Sequence, residues 1–114
     1  MKIRIYQINL DKDTHGVAFE SYDRLEKLQG FGEVDTAIYD KTYEGCVEAN
    51  DLEDVFRIFN IEHPAGYTGR SMSVSDVVEV EEAEHITPGF YFCNTIGFKK
   101  ITWKEKEAYY EKKV

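Results

Sequence analysis

What this 114-residue sequence lacks narrows its chemistry. Cysteine occurs twice, at Cys46 and Cys93, in no C-x-x-C or metal spacing. That excludes a disulfide scaffold and a thiolate cluster, and two reduced thiols are expected. The three histidines, His15, His63 and His85, match neither HExxH nor H-x3-H, so no zinc site is expected. No apolar run is long enough for a signal or a membrane span, and the expectation is a cytoplasmic protein without membrane contact. The two prolines, Pro64 and Pro88, sit beside turns, and no linker or internal repeat interrupts the chain. Basic residues are outnumbered, 14 against 22 acids, for a net charge of −8. Such a surface repels phosphate backbones, so direct nucleic-acid binding is not expected.

Catalytic signatures are missing as well. The run from Gly66 to Ser71 lacks the GK[ST] ending of a P-loop, and no GxSxG elbow occurs. His63, Asp76 and one of Ser71, Ser73 or Ser75 supply the residue types of a hydrolase triad, but a triad is defined by geometry and not by types. The chain is read as a non-enzyme with no cofactor and no metal.

What is present is a globular composition, with 42% hydrophobic and 14% aromatic residues, eight of them Tyr and seven Phe. The length fits one domain. Charge is uneven: residues 1–50 carry net −4, residues 51–98 net −7 and residues 99–114 net +3. The middle of the chain is the negative pole.

Residues 2–10 read as a strand. Ile3 and Ile5 share one parity and Tyr6, Ile8 and Leu10 the other, a phase change that predicts a bulge or a strand buried on both faces. Residues 17–19 suit a short strand, and Ser21 suits the N-cap of a helix over 22–29 that Gly30 ends. Residues 36–47 read as extended, with Ala37, Tyr39, Lys41 and Tyr43 on one side. The clearest helix follows Asn50 as N-cap, with Glu53 three positions on and Leu52, Val55, Phe56 and Phe59 as its apolar stripe. Strands are expected over 75–82, 90–94 and 97–101. Residues 102–114 form a charged C-terminal segment, either frayed or a helix with Trp103, Ala108 and Tyr109 inward. The fold class is α+β: a single compact domain over 1–114, mostly antiparallel sheet with two or three short helices.

Two groups of residues are candidates for binding. Glu79, Glu81, Glu82 and Glu84 form an acidic strip that is either a solvated face or a row of carboxylates standing in for phosphates on a basic groove. In the loop before it, Arg70 with the hydroxyls of Ser71 or Ser73 could hold an anion, or Arg70 could pair with Asp76. Tyr67 and Arg70 are residue types that anchor protein interfaces.

The stretches HPAGYTGRSMSVSDVVEV and PGFYFCNTIGF, with the opening MKIRIYQINLDKD, AIYDKTYEG and DLEDVFRIFN, resemble the YodL-like domain family from residue 1 to about residue 101. The resemblance implies a small bacterial protein of the kind often carried on mobile genetic elements, and no catalytic residues. It implies counter-defence, an anti-CRISPR-like inhibitor whose partner is a host protein with a basic surface, such as a Cas9-type nuclease hindered in guide RNA or DNA engagement. The alternative it implies is a regulator binding a bacterial cell-shape or cytoskeletal protein. The run SMSVSDVVEV followed by FYF is also similar to PUA- and ASCH-like RNA-binding barrels, although the basic face of an RNA binder is missing outside the tail.

Overall fold

Ile- and Tyr-rich residues favour the pleated, packed surface of a strand, and they form β1 (Lys2–Ile8), an interior strand of the sheet. In the computed structural model, which describes residues 1–104, β1 is flanked by β2 (Tyr39–Cys46) and β3 (Val77–Glu82). Beyond β3 follow β4 (Gly89–Cys93) and β5 (Phe98–Ile101). All neighbours are antiparallel, in the order β2-β1-β3-β4-β5, so the sheet is open with β2 and β5 at its edges. Two short helices, α1 (Leu25–Gln29) and α2 (Leu52–Ile61), complete the single α+β domain.

Both faces of the sheet are covered. On one face Ile3, Ile5, Tyr43, Val78 and Val80 pack with Val55, Ile58 and Phe59 of α2. The other face sets Ile8, Val77 and Phe92 against Val17, Leu25 and Val34. Each fully buried aliphatic or aromatic side chain contributes roughly 1.5–3 kcal/mol of transfer free energy.

The phase change in β1 is thereby explained: Ile3 and Ile5 face one layer, Ile8 and the half-buried Tyr6 the other. The bulge belongs to its neighbour. Ile5 pairs with Tyr43 and Tyr6 with Lys41, which leaves Thr42 as the extra residue in β2. As a result Tyr43 turns to α2 and Tyr39 to the opposite face, where strict alternation puts both on one side. A second irregularity, between the pairs Lys2–Glu82 and Ile3–Val80, makes Glu81 the extra residue in β3.

Other expectations shift for local reasons. Residues 17–19 are a turn and not a strand: the Asp13 carboxylate accepts the Val17 and Ala18 amides at 2.9 Å each, closing a loop that buries Val17. The expected helix over 22–29 begins as a 3-10 turn at Tyr22–Arg24 with Ser21 at its N-cap position, where the Ser21 carbonyl accepts the Arg24 amide at 3.1 Å but the side chain makes no capping bond, and the Tyr22 amide donates to Asn94 Oδ1. Gly30 ends α1 with φ of 93°. Residues 36–38 are a 3-10 turn capped by Asp35. The N-cap of α2 is Asp51, one residue later than expected. Asp51 accepts the Asp54 amide at 2.8 Å, and Asp54 in turn accepts the Asn50 amide at 2.9 Å. Trp103 packs between Tyr6, Tyr39 and Phe90, with its ring parallel to that of Phe90 at 5.1 Å. The expected inward placement of Ala108 and Tyr109 lies outside the described residues.

Candidate functional site

The acidic strip divides in two. Glu79 and Glu81 project from the same side of β3 as Arg4 of β1 and are largely consumed within the protein. Arg4 contacts Glu79 and Glu44 at 3.2 and 3.1 Å and also pairs with Glu81, while Lys2 lies 3.2 Å from Glu81. The Tyr6 hydroxyl donates to Glu79 at 3.0 Å. Glu82 and Glu84 are exposed, and the side chain of Glu84 is 92% accessible, with His85 as its ion-pair partner among the described residues, at 3.7 Å. They join the exposed Glu48, which follows β2, around Met1. Two adjoining grooves meet there. One of about 400 Å³ is lined by Glu48, Asn50 and Glu84 among others, and one of about 730 Å³ by Glu81, Glu82 and Glu84 with Lys2.

The loop before β3 builds a different arrangement. Asp76, at the mouth of β3, is fully buried and accepts hydrogen bonds from the Ser73 amide at 2.8 Å and from Gln7 Nε2 at 3.0 Å. The same Gln7 nitrogen reaches the Arg70 carbonyl and the Tyr67 hydroxyl, at 3.0 and 3.1 Å. Tyr67 also donates to the Arg70 carbonyl, and its ring packs edge-on against Phe59. Tyr67 is therefore half-buried and internally bonded. Arg70 lies over the Phe19 ring, 5.1 Å from its centroid, and its Nη2 stands 3.9 Å from Asp76 Oδ1. That separation is an ion pair by charge but exceeds a hydrogen bond.

Burial pushes the Asp76 carboxyl up to about 6, against the bonds from Gln7 and Ser73 and the charge of Arg70, which favour its ionised form. The Tyr67 hydroxyl is raised by burial and then by Asp76, and Tyr39 likewise. The Cys93 thiol is pushed up to about 12, again by burial first, so it holds its proton. Two non-glycine residues with left-handed backbone meet here: Ser75, φ 85° and fully buried, and Phe19, φ 69°. The Ser75 hydroxyl accepts the Phe19 amide at 3.0 Å, and its carbonyl accepts the Tyr39 hydroxyl at 2.7 Å.

The structure thus brings Tyr67 and Arg70 together, and separates them from the exposed members of the acidic strip. His63 contacts the Tyr67 ring and makes no hydrogen bond to Asp76 or to Ser71, Ser73 or Ser75 among the described residues. No group of three potential metal ligands occurs among them either. No described helix is long and apolar enough to cross a membrane. The residue missed in the sequence is Gln7. Its signal was an amide sharing the parity of Ile3 and Ile5, since a polar group on a core face must find partners.

A model of the YodL-like domain matches residues 2–103 of this chain. No curated protein matches it, and no solved structure does. The match spans nearly the whole chain, and the protein belongs to the YodL-like domain family.

Proposed function

We propose that this member of the YodL-like domain family is a non-catalytic binding protein that covers a cationic surface of another protein. The observation that supports this reading is the convergence of Glu48, Glu82 and Glu84, from two separate parts of the chain, on the grooves around Met1, where the basic groups in the lining are Lys2, His85 and the Met1 ammonium, the last bonded to the Val47 carbonyl at 2.9 Å. Carboxylates that pair with no Lys or Arg among the described residues attract a cation from a partner, and such attraction steers association over a Debye length.

The partner that fits this chemistry is a nucleic-acid-handling protein, whose channel carries Lys and Arg for a phosphate backbone. In the counter-defence role associated with mobile elements, the partner is a Cas9-type nuclease in the cytoplasm of the host, and the acidic end hinders guide RNA or DNA engagement. Glu79 and Glu81 then contribute to the field but not to contacts, because Arg4 and Lys2 hold them.

The test is retention of purified Cas9-type nuclease on the immobilised protein across a salt series, with cleavage and guide loading measured in parallel. Binding that weakens steeply with salt, and is lost when Glu48, Glu82 and Glu84 are all changed to Gln, is expected. Binding indifferent to both, or no effect on loading and cleavage, would remove the reading.

A further inference from the structure

We propose that the cleft beside Arg70, between β1, β2 and the 64–70 loop, is a binding site for a small oxyanion: a carboxylate, or a sulfate- or phosphate-type group. The cleft holds about 260 Å³ and is lined by Gln7, Asn9, Thr42, Thr68, Gly69 and Arg70 among others. It is distinct from the acidic end and stands or falls separately from it, since its test needs no protein partner.

Arg70 is held in place while its donors stay unused. Its guanidinium rests on Phe19, and Nε and Nη2 are buried with no hydrogen-bond acceptor among the described residues, which leaves Nη1 for the cleft in a side chain one-third exposed. Nη1 brings a permanent positive charge and a charge-assisted donor to one oxygen of a carboxylate or phosphate. The left-handed backbones of Phe19 and Ser75, joined by a hydrogen bond, keep the aromatic platform under it. Such strain persists only where the surroundings over-determine it, and it gathers at functional sites.

The loop backbone presses closely on β1. A Cβ at Gly69 would lie 1.9 Å from Gln7 Oε1, so only glycine lets residues 68–70 wall the cleft. Among the described residues the amides of Gly69 and Arg70 donate to no backbone or side-chain acceptor, while the Thr68 amide is engaged with the Thr42 carbonyl at 3.0 Å. Successive free amides beside a cation make an anion-binding concavity. The hydroxyls of Thr42 and Thr68 make only long bonds to carbonyls, 3.4 and 3.3 Å, which an anionic acceptor would replace.

Nearby carboxylates do not close the site to an anion. Asp40, also in the lining, is occupied by Lys12 at 3.3 Å and by Asn9 Nδ2 at 2.9 Å. Asp76 lies behind Arg70, faced by Arg70, Tyr67, Tyr39 and Cys93, of which Arg70 is the charged one at neutral pH. Protonation of Asp76 removes the opposing charge, so binding strengthens as pH falls through about 6.

The full-length protein is titrated with sodium sulfate and, separately, sodium acetate, at ionic strength held constant with chloride, and followed by amide NMR. Saturable shifts centred on Gly69 and Arg70 are expected, with sulfate binding several-fold tighter at about pH 5.5 than at about pH 7.5. Arg70→Gln should weaken binding by about tenfold or more, and Asp76→Asn should abolish the pH dependence. Should either variant fail to fold, Thr68→Val, in the exposed loop, is expected to weaken sulfate and acetate binding while leaving the fold intact. Linear shifts that chloride reproduces, or binding unchanged in the Arg70 variant or, where that variant is unfolded, in Thr68→Val, would overturn the proposal. Saturation by acetate but not sulfate would assign the site to carboxylates, and saturation by sulfate but not acetate to tetrahedral oxyanions.

Discussion

The acidic end around Met1 and the polar cluster around Asp76 are both built on carboxylates, yet water treats them oppositely. Glu82 and Glu84 keep their charge in solvent, where it costs little and acts at a distance. Asp76 has lost its solvent, and its charge survives through hydrogen bonds from Gln7 and Ser73 and the nearby guanidinium. The first arrangement is free to serve a partner and adds little to stability. The second binds three parts of the fold, β1, the 64–70 loop and the start of β3, into one unit. A count of acids alone treats these as equivalent.

Breaking the buried member should have the largest effect. Asp76→Ala strands the Ser73 amide, removes one of the acceptors of Gln7 Nε2 and leaves the Arg70 guanidinium without its counter-charge, and should cost about 3–5 kcal/mol in urea unfolding. A loss near zero would show that the cluster does not hold the fold.

The pH dependence of stability separates the two regions next. Asp76 has an ordinary value of 3.8 and sits at about 6 in the folded protein, so the fold binds this proton more tightly than the unfolded chain. The stability it contributes is complete below about pH 4 and is lost as pH rises through about 6, a change of about 3 kcal/mol. Glu44 and Asp54 act in the opposite direction: their carboxyls are lowered, Glu44 by Lys41 first and then Arg4, and Asp54 by the Asn50 amide. What they contribute is present above their ordinary values and lost as pH falls. Subtracting the Asp76→Asn profile from the wild type cancels those terms, and the difference should fall between about pH 4 and 6. A flat difference would place the Asp76 carboxyl at its unfolded value.

Gly69→Ala sharpens the comparison further. Its Cβ would meet Gln7 Oε1 at 1.9 Å and Thr42 Cβ at 3.0 Å, so either the Gln7 amide leaves its hydrogen bonds or the loop lifts from β1, at a cost of about 1–3 kcal/mol in thermal or urea unfolding. Smallest of all on stability is Glu84→Gln, expected within about 0.5 kcal/mol in the same measurement. A larger loss there would mean that the acidic end is structural after all.

Much of the fold was legible. Periodicity located β1, α2, β3 and β4 through their apolar faces, whereas β5, with Lys99 and Lys100 between Phe98 and Ile101, was placed by the turn before it; the two-phase pattern of β1 fitted either a bulge or a strand covered on both sides, and the second holds. Local structure departed from expectation where a side chain from another turn intervened: Asp13 folds residues 17–19 into a turn, and Asp51 takes the N-cap of α2 expected at Asn50. Of the site, the types were visible and the grouping was not. Arg70 and Asp76 could be paired on paper, but the Gln7 amide that joins them lies 69 residues from Asp76.

By itself the sequence determined the charge, the absence of recognisable catalytic and metal spacings, the α+β class and the family, because these depend on composition and on patterns along the chain. Only the tertiary structure decided which carboxylates are free. Glu79 and Glu81 are consumed by Arg4 and Lys2, Glu82 and Glu84 remain in solvent, and Asp76 is enclosed. The physical reason is that the behaviour of a charge depends on the dielectric and the cations around it, which the crossing of distant strands sets and residue order does not.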